Sequence, residues 1–118
     1  MEDFFSIMSK SGETGSYTYR VMINAGHRVF GGHFPGNPIV PGVMTMMMVR
    51  MCAEDAAGLG ATRYSAVKEA KYYQPIRPDG KPIVITMSID ESLNVKADVA
   101  TEEGVTMTKV RGTLTQAE

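Results

Sequence analysis

The sequence predicts an α+β fold in which one long central helix is wrapped by a curved antiparallel sheet. The first observation is a single apolar stretch of helical length, from Pro41 to Ala57, with a glycine- and proline-rich segment ahead of it. The second is that the rest of the chain after this stretch consists of alternating or β-branched segments separated by turn residues, as in antiparallel strands. One helix and one long sheet share a core when the sheet curls around the helix.

The helix is predicted to begin at Pro41, because a proline at the first helical position lacks only an N–H that would have no acceptor there. Gly58 and Gly60 favour an end after Ala57, which gives a helix roughly 25 Å long. Its first three turns are apolar on nearly every side until Arg50, so we expect other elements to surround it. A sheet that covers one side would leave an apolar face for a second copy, and we therefore expect a homodimer.

Most of the remaining chain is predicted to form strands. Residues 9–16 are rich in serine and glycine and predict a turn or loop. Residues 25–40 contain four glycines and two prolines and predict a shaped loop ahead of the helix. At 118 residues the chain is expected to form one domain, over residues 1–118. The predicted strands are Tyr17 to Asn24, Arg63 to Tyr73, Pro82 to Glu91, Leu93 to Thr101 and Val105 to Thr115.

Composition and charge narrow the classes of partner. The net charge is −1, from 12 basic and 13 acidic residues, which gives no electrostatic reason to expect nucleic acid or a membrane surface as the main partner. The start of the chain, Met1 to Phe5, is acidic and unlike a signal peptide. The longest apolar run, Met44 to Val49, is too short to cross a bilayer. Cys52 is the only cysteine and is predicted to be a buried hydrophobe, which fits a cytoplasmic location.

The segment from Gly32 to Val43 reads Gly-His-Phe-Pro-Gly-Asn-Pro-Ile-Val-Pro-Gly-Val. It closely resembles the active-site segment of the 3-hydroxyacyl-[acyl-carrier-protein] dehydratases of fatty-acid synthesis, which have the hot-dog fold. Residues Lys68 to Gly80 resemble the strand and turn that follow the helix in that family. The resemblance runs from about Tyr17 to Leu114. It implies a lyase that needs no cofactor of its own, because the substrate is carried on the phosphopantetheine of an acyl carrier protein.

Two residues of this segment are the predicted catalytic residues, His33 and Gly42. Histidine titrates near neutral pH, so it can take up and return a proton. Gly42 would lie in the first helical turn, where its N–H has no acceptor within the helix and faces out of the positive end of the dipole. The resemblance implies that His33 removes the proton next to the thioester carbonyl, while the Gly42 N–H polarises that carbonyl. Loss of the 3-hydroxyl as water then gives the trans-2-enoyl product.

Other residues near the motif are assigned to substrate binding or to packing. His27 is predicted to be structural, with a role in a substrate channel as the second interpretation. Two histidines and one distant cysteine do not make a ligand set, so no metal site is predicted. The expected partners are an acyl carrier protein and a second copy of the chain, in a dimer or a trimer of dimers. The predicted substrate-binding residues are Phe30, Phe34, Pro41, Val43 and Met47. Core packing explains the two phenylalanines equally well.

The sequence departs from the family at one position on the helix. Where the family carries Glu or Asp, which the resemblance implies helps the hydroxyl to leave, this chain has Met47. The nearest acids are Glu54 and Asp55, and Glu54 lies roughly 10 Å further along the helix, too far for a direct proton transfer. Three interpretations follow: a dehydratase in which His33 alone moves the proton, a non-catalytic acyl-thioester-binding protein or subunit of a mixed dimer, and a hot-dog thioesterase. We favour the first.

Overall fold

The computed structural model of the protein describes residues 3–31 and 36–117, which form an α+β fold with one long helix and one sheet. The six strands are antiparallel and lie side by side in the order β1-β2-β4-β5-β6-β3. Strands β1 and β3 are therefore the two edges of this sheet. The elements are β1 (Phe5–Glu13), β2 (Ser16–Ile23), a short 3-10 helix (Arg28–Phe30), α1 (Gly42–Ala57), β3 (Thr62–Tyr72), β4 (Ile83–Ile89), β5 (Asn94–Thr101) and β6 (Thr106–Gln116).

Helix α1 has the predicted extent, apart from its first residue. Pro41 is the N-cap in an extended conformation, and Gly42 is the first helical residue. At the other end Gly58 adopts the left-handed conformation, with φ of 66°, and its N–H donates to the carbonyl of Glu54. This is the glycine-terminated helix end that the sequence predicts. No helix in the described part of the chain is both long and apolar enough to span a membrane.

One side of α1 packs on the sheet. Met48, Val49, Cys52 and Ala53 are fully buried and belong to the same apolar core as the inward-facing side chains of the central strands, among them Ile85. The other side is only partly covered: Met46 and Met51 are half-buried and Val43 is 74% exposed. The expectation of a fully surrounded helix does not hold within one chain, because the sheet lies against one side of α1 and leaves an apolar strip on the other.

The first strand was not predicted. Residues 9–16 were expected to be a turn or loop, but β1 continues to Glu13, and only Thr14 and Gly15 form the turn to β2. Both turn residues have positive φ, 54° and 88°, as a two-residue hairpin of the tightest kind requires. The side chains of β1 after its first residue are exposed, so this edge strand shows no apolar alternation, and backbone pairing with β2 holds it in place.

The other predicted strands are present with small shifts at their ends, and they bring distant residues together at the start of α1. In the β3–β6 pair, Tyr72 lies directly opposite Thr108. Cross-strand partners in an antiparallel pair project from the same face of the sheet. The last residue of β3 and the third residue of β6 therefore lie on one face, beside the amino-terminal turn of the helix.

Candidate active site

The loop ahead of α1 is held at both of its ends. His33 and Phe34 lie in residues 32–35, outside the described residues. After this stretch, the Val40 N–H donates to the carbonyl of Ile76 at 2.8 Å, and Asn37 accepts a hydrogen bond from Arg77. These bonds join the loop to the segment that follows β3. The start of the helix is therefore fixed relative to the segment that follows β3.

His27 fixes the other end of the loop. Its Nδ1 accepts a hydrogen bond from the Val29 N–H at 3.0 Å and so caps the short 3-10 helix. Its ring meets the ring of Phe4 edge to face, with centroids 5.2 Å apart, and its Nε2 lies 3.3 Å from Oδ1 of Asp3. The residue is 5% exposed. These contacts are those of the structural role that the sequence favours for His27.

Tyr72 packs directly on Gly42. A Cβ atom added to Gly42 would lie 3.0 Å from both Cζ and Oη of Tyr72, which is tighter than most Cβ contacts in proteins, so a larger residue here requires Tyr72 to shift by a few tenths of an ångström. The Tyr72 hydroxyl donates a long hydrogen bond, 3.3 Å, to the carbonyl of Gly42. Burial raises the pKa of Tyr72, so the hydroxyl keeps its proton at neutral pH. Gly42 thus carries the first N–H of the helix and is also contacted by the hydroxyl of Tyr72.

A cavity of about 420 Å³ opens at this point. Its size is that of a small-molecule site. Most of the wall is apolar, and the hydroxyl-bearing residues Thr45, Tyr72 and Thr108 are among those that line it. Thr108 is completely buried, and its Oγ1 finds no hydrogen-bond partner among the described residues. The full lining is Ile39, Val40, Gly42, Thr45, Tyr72, Tyr73, Gln74, Pro75, Ile76 and Thr108.

A larger cavity, of about 760 Å³, lies at the other end of the helix. It is lined by Ala57, the last residue of α1, by Leu59 just after the helix, and by charged side chains of β5 and β6, among them Lys96 and Arg111. It shares no lining residue with the cavity at Gly42. We therefore place the candidate chemistry at the smaller cavity, where the helix dipole and the hydroxyl groups meet.

The acids of the helix do not reach the cavity at Gly42. Met47 is 8% exposed and forms part of the apolar core. The Oε2 atom of Glu54 accepts hydrogen bonds from the N–H and Oγ1 of Thr62, both at 2.6 Å, and from Arg50 at 2.9 Å. Asp55 accepts from Tyr19 and Lys10. Both carboxylates are engaged in fastening α1 to the sheet.

The remaining predicted site residues have different surroundings. Phe30 packs on Phe4 at a centroid distance of 5.9 Å and is part of the core, the packing role that its sequence position allows. Pro41 caps the helix and Val43 is exposed. Among the predicted residues that the structure describes, Gly42 alone lines the cavity. Burial, assisted by the charge of Asp55, raises the pKa of Cys52 to about 12, as suits a buried structural thiol.

Sequence reasoning missed the part of the site that comes from the sheet. Tyr72 and Thr108 line the cavity, but no pattern marks them, because Tyr72 lies thirty residues after Gly42 and Thr108 lies on the last strand. The available signal was the pair Tyr72-Tyr73 within the segment from Lys68 to Gly80, which resembles the dehydratases. In residues 3–31 and 36–117 no group of three or more His, Cys, Asp or Glu side chains is placed to hold a metal ion.

The fold and the sequence around Gly42 define a hot-dog protein of the dehydratase class. The chain belongs to the ApeI-like family, described as ApeI dehydratase, whose model matches residues 9–111. Relatives include the 3-hydroxyacyl-[acyl-carrier-protein] dehydratases FabZ of Campylobacter fetus, 33% identical over 82 residues, and of Ligilactobacillus salivarius, 31% identical over 103 residues. These matches cover 58% and 79% of this chain, and 55% and 71% of the relatives. Against the first relatives the chain spans about half of their length.

Solved structures support the fold. The dehydratase heterocomplex ApeI:P from Xenorhabdus doucetiae has a chain that superposes with a TM-score of 0.78 at 18% identity, covering 94% of this chain and 97% of that one. The PaaI protein of Escherichia coli superposes with a TM-score of 0.65 at 15% identity, covering 96% of this chain and 82% of that one. At these identities the likeness shows the hot-dog fold alone.

Proposed function

We propose that the protein dehydrates a 3-hydroxyacyl thioester, carried on the phosphopantetheine of an acyl carrier protein, to the trans-2-enoyl thioester. His33 takes the proton from the carbon next to the thioester carbonyl, and the N–H of Gly42 stabilises the enolate oxygen. The electron pair of the broken C–H bond forms the double bond as the C–O bond breaks. His33 returns the proton to the leaving hydroxyl, so that one water is released and the histidine is regenerated.

The observation that carries this proposal is the position of Gly42. It is the first residue of α1 and borders a cavity with mainly apolar walls, so its N–H has no acceptor within the helix and is available to a ligand oxygen. The membership of the chain in a dehydratase family supports the same reaction. A cavity of this volume is large enough to admit the head of an acyl thioester.

The test is turnover by the purified protein. Incubation with a 3-hydroxyacyl thioester of an acyl carrier protein, or of a pantetheine mimic, is expected to yield the enoyl thioester, and the reverse hydration is expected to run as well. His33→Ala should lower turnover by at least about a hundredfold, because it removes the general base. His27→Asn is the matched control: it removes the other histidine but keeps a capping acceptor, and it should retain most of the turnover.

A second candidate function is favoured by Met47, which provides no proton donor in place of the family's acid. In this case the chain binds an acyl thioester without turning it over, or it forms a mixed dimer with a second hot-dog chain that supplies the missing carboxylate. The solved relative from Xenorhabdus doucetiae is a heterocomplex, which supports such pairing here.

Substitution of Met47 separates the two candidates. If the chain is a dehydratase by itself, the wild type turns over and Met47→Glu changes the rate only modestly. If the wild type is inert in both directions while Met47→Glu gains turnover, the second candidate replaces the first. Met47→Gln, which is of similar size but cannot ionise, controls for the polarity of the new side chain.

A further inference from the structure

We propose that the hydroxyl of Tyr72 is a second hydrogen-bond donor to the thioester carbonyl oxygen, acting beside the N–H of Gly42. This role rests on the proposed function, because it assigns a contact to the same substrate. The residue is not identified by the motif that predicts His33 and Gly42. It is the last residue of β3.

The first argument is proximity. The Tyr72 Oη lies 3.0 Å from the position that a Cβ on Gly42 would occupy. The hydroxyl is therefore a direct neighbour of Gly42, whose N–H is expected to bind the thioester carbonyl. Two donors that close together can converge on one oxygen, which is the arrangement that stabilises a developing enolate.

The second argument is that the hydroxyl is available. Its present bond to the Gly42 carbonyl is 3.3 Å long, beyond the usual range for O–H donors. That carbonyl also faces the N–H four residues on within the helix, which satisfies it independently. The hydroxyl therefore gives up little when it turns toward a ligand. Burial keeps the pKa of Tyr72 above its ordinary value, which preserves the donor proton.

The third argument is independent of Gly42. Thr108, directly opposite Tyr72 in the sheet, lines the same cavity and is completely buried, with no partner for Oγ1 among the described residues. A buried hydroxyl without a hydrogen-bond partner destabilises the folded protein. A cavity wall with an unpartnered hydroxyl next to Tyr72 is suited to the polar head of a ligand rather than to a hydrocarbon chain.

The experiment compares two ligands in the wild type and in Tyr72→Phe. One is a 3-hydroxyacyl pantetheine thioester, and the other is the corresponding thioether, which lacks the carbonyl. The wild type is expected to bind the thioester more tightly, and Tyr72→Phe should lose about tenfold in thioester affinity while its thioether affinity is unchanged. Turnover of the thioester by Tyr72→Phe should fall by at least about tenfold. Tyr17→Phe, which also removes a hydroxyl that makes a 3.3 Å hydrogen bond, should alter neither.

The outcomes are distinct. If Tyr72→Phe weakens both ligands equally, or neither, the carbonyl contact is refuted while the proposed function stands. If the wild type binds no thioester and turns none over, the proposed function fails and the role of Tyr72 fails with it. Should Tyr72→Phe not fold, Tyr72→Leu, which also lacks the hydroxyl, takes its place in the same comparison of thioester with thioether. Equal losses of affinity for the two ligands, or no loss for either, overturn the proposal in that variant as well.

Discussion

At the scale of single residues, the side chains around the loop are fixed by hydrogen bonds whose direction is known. His27 accepts from the Val29 N–H through Nδ1, so that nitrogen carries no proton and Nε2 faces Asp3. The cap is thus made by one specific atom of the ring. A side chain that offers an acceptor at the same distance from the backbone can replace it, and a longer one cannot.

We therefore predict that His27→Asn is more stable than His27→Gln by about 1 kcal/mol, the usual value of a helix cap. Asn places its oxygen near the position of Nδ1, whereas Gln places its amide near Nε2. Chemical denaturation monitored by circular dichroism measures the difference. Equal stabilities, or a more stable Gln variant, would show that ring packing on Phe4 rather than the cap determines the contribution of His27.

Asp55 makes the stability of the fold depend on pH. Its hydrogen bonds to Lys10 and Tyr19 hold the pKa of this carboxyl below its ordinary value. The ionised form is therefore favoured by folding, and the stabilisation is complete at neutral pH and is lost as the pH falls through the folded-state pKa. Asp55→Asn should cost about 1 kcal/mol at pH 7, and this difference should shrink below about pH 4. Thermal unfolding at both pH values checks it, and a constant difference would contradict it.

At this scale the sequence predicted one half of the candidate site and not the other. Gly42 was identified because it belongs to a contiguous motif with a proline before it, so its place in the first helical turn follows from local chemistry. Tyr72 and Thr108 are adjacent only through the β3–β6 register. A contact that depends on strand pairing between distant segments has no local signature, and only the folded arrangement reveals it.

At the scale of elements, the end of α1 depends on one backbone conformation. Gly58 has φ of 66°, a conformation in which a side chain is strained. Gly60 lies outside this left-handed region and has open space around its Cβ position. Gly58→Ala should destabilise the protein by about 1 kcal/mol, and Gly60→Ala should be neutral or slightly stabilising. Urea titration of the two variants provides the comparison. Equal losses would mean that the left-handed cap is unimportant.

The elements that the sequence predicted are those whose side chains carry a pattern. Helix α1 and strands β2, β4, β5 and β6 bury alternating or clustered apolar residues, as in β4, where buried and less buried positions alternate from Ile83 to Ile89. Strand β1 buries almost none of its side chains. It is held by backbone hydrogen bonds to β2 and by a two-residue turn. Its serine and glycine content is typical of a loop, so composition alone predicted a loop there.

At the scale of the whole molecule, one chain leaves two neighbouring surfaces uncovered. Strand β3 is an edge of the sheet with Val67 exposed, and the outer side of α1 exposes Val43. Unpaired strand edges readily pair with another chain. These surfaces suit a second copy or a related chain, and the homodimer expected from the sequence stays a prediction.

We predict that Val67→Lys weakens self-association, because it places a charge on the edge that would be paired. Val105→Lys is the matched control, since Val105 is similarly exposed, 44% against 49%, but lies outside the edge strand. Sedimentation velocity over a range of concentrations measures the effect. If both variants associate as the wild type does, or if the wild type is a monomer throughout, the edge of β3 is not the contact.

The contacts of Asp3 and Phe4 have a practical consequence for handling the protein. The carbonyl of Phe4 accepts from the Asn24 N–H at 2.8 Å, and its ring packs on His27, so any chain added ahead of these residues emerges beside His27. At the other terminus the Ala117 N–H donates to Ala61, next to the last turn of α1 and roughly 24 Å along the helix from its start. An affinity tag or surface attachment at the carboxyl end is therefore expected to lie by the last turn of α1, and one at the amino end is expected to lie beside His27.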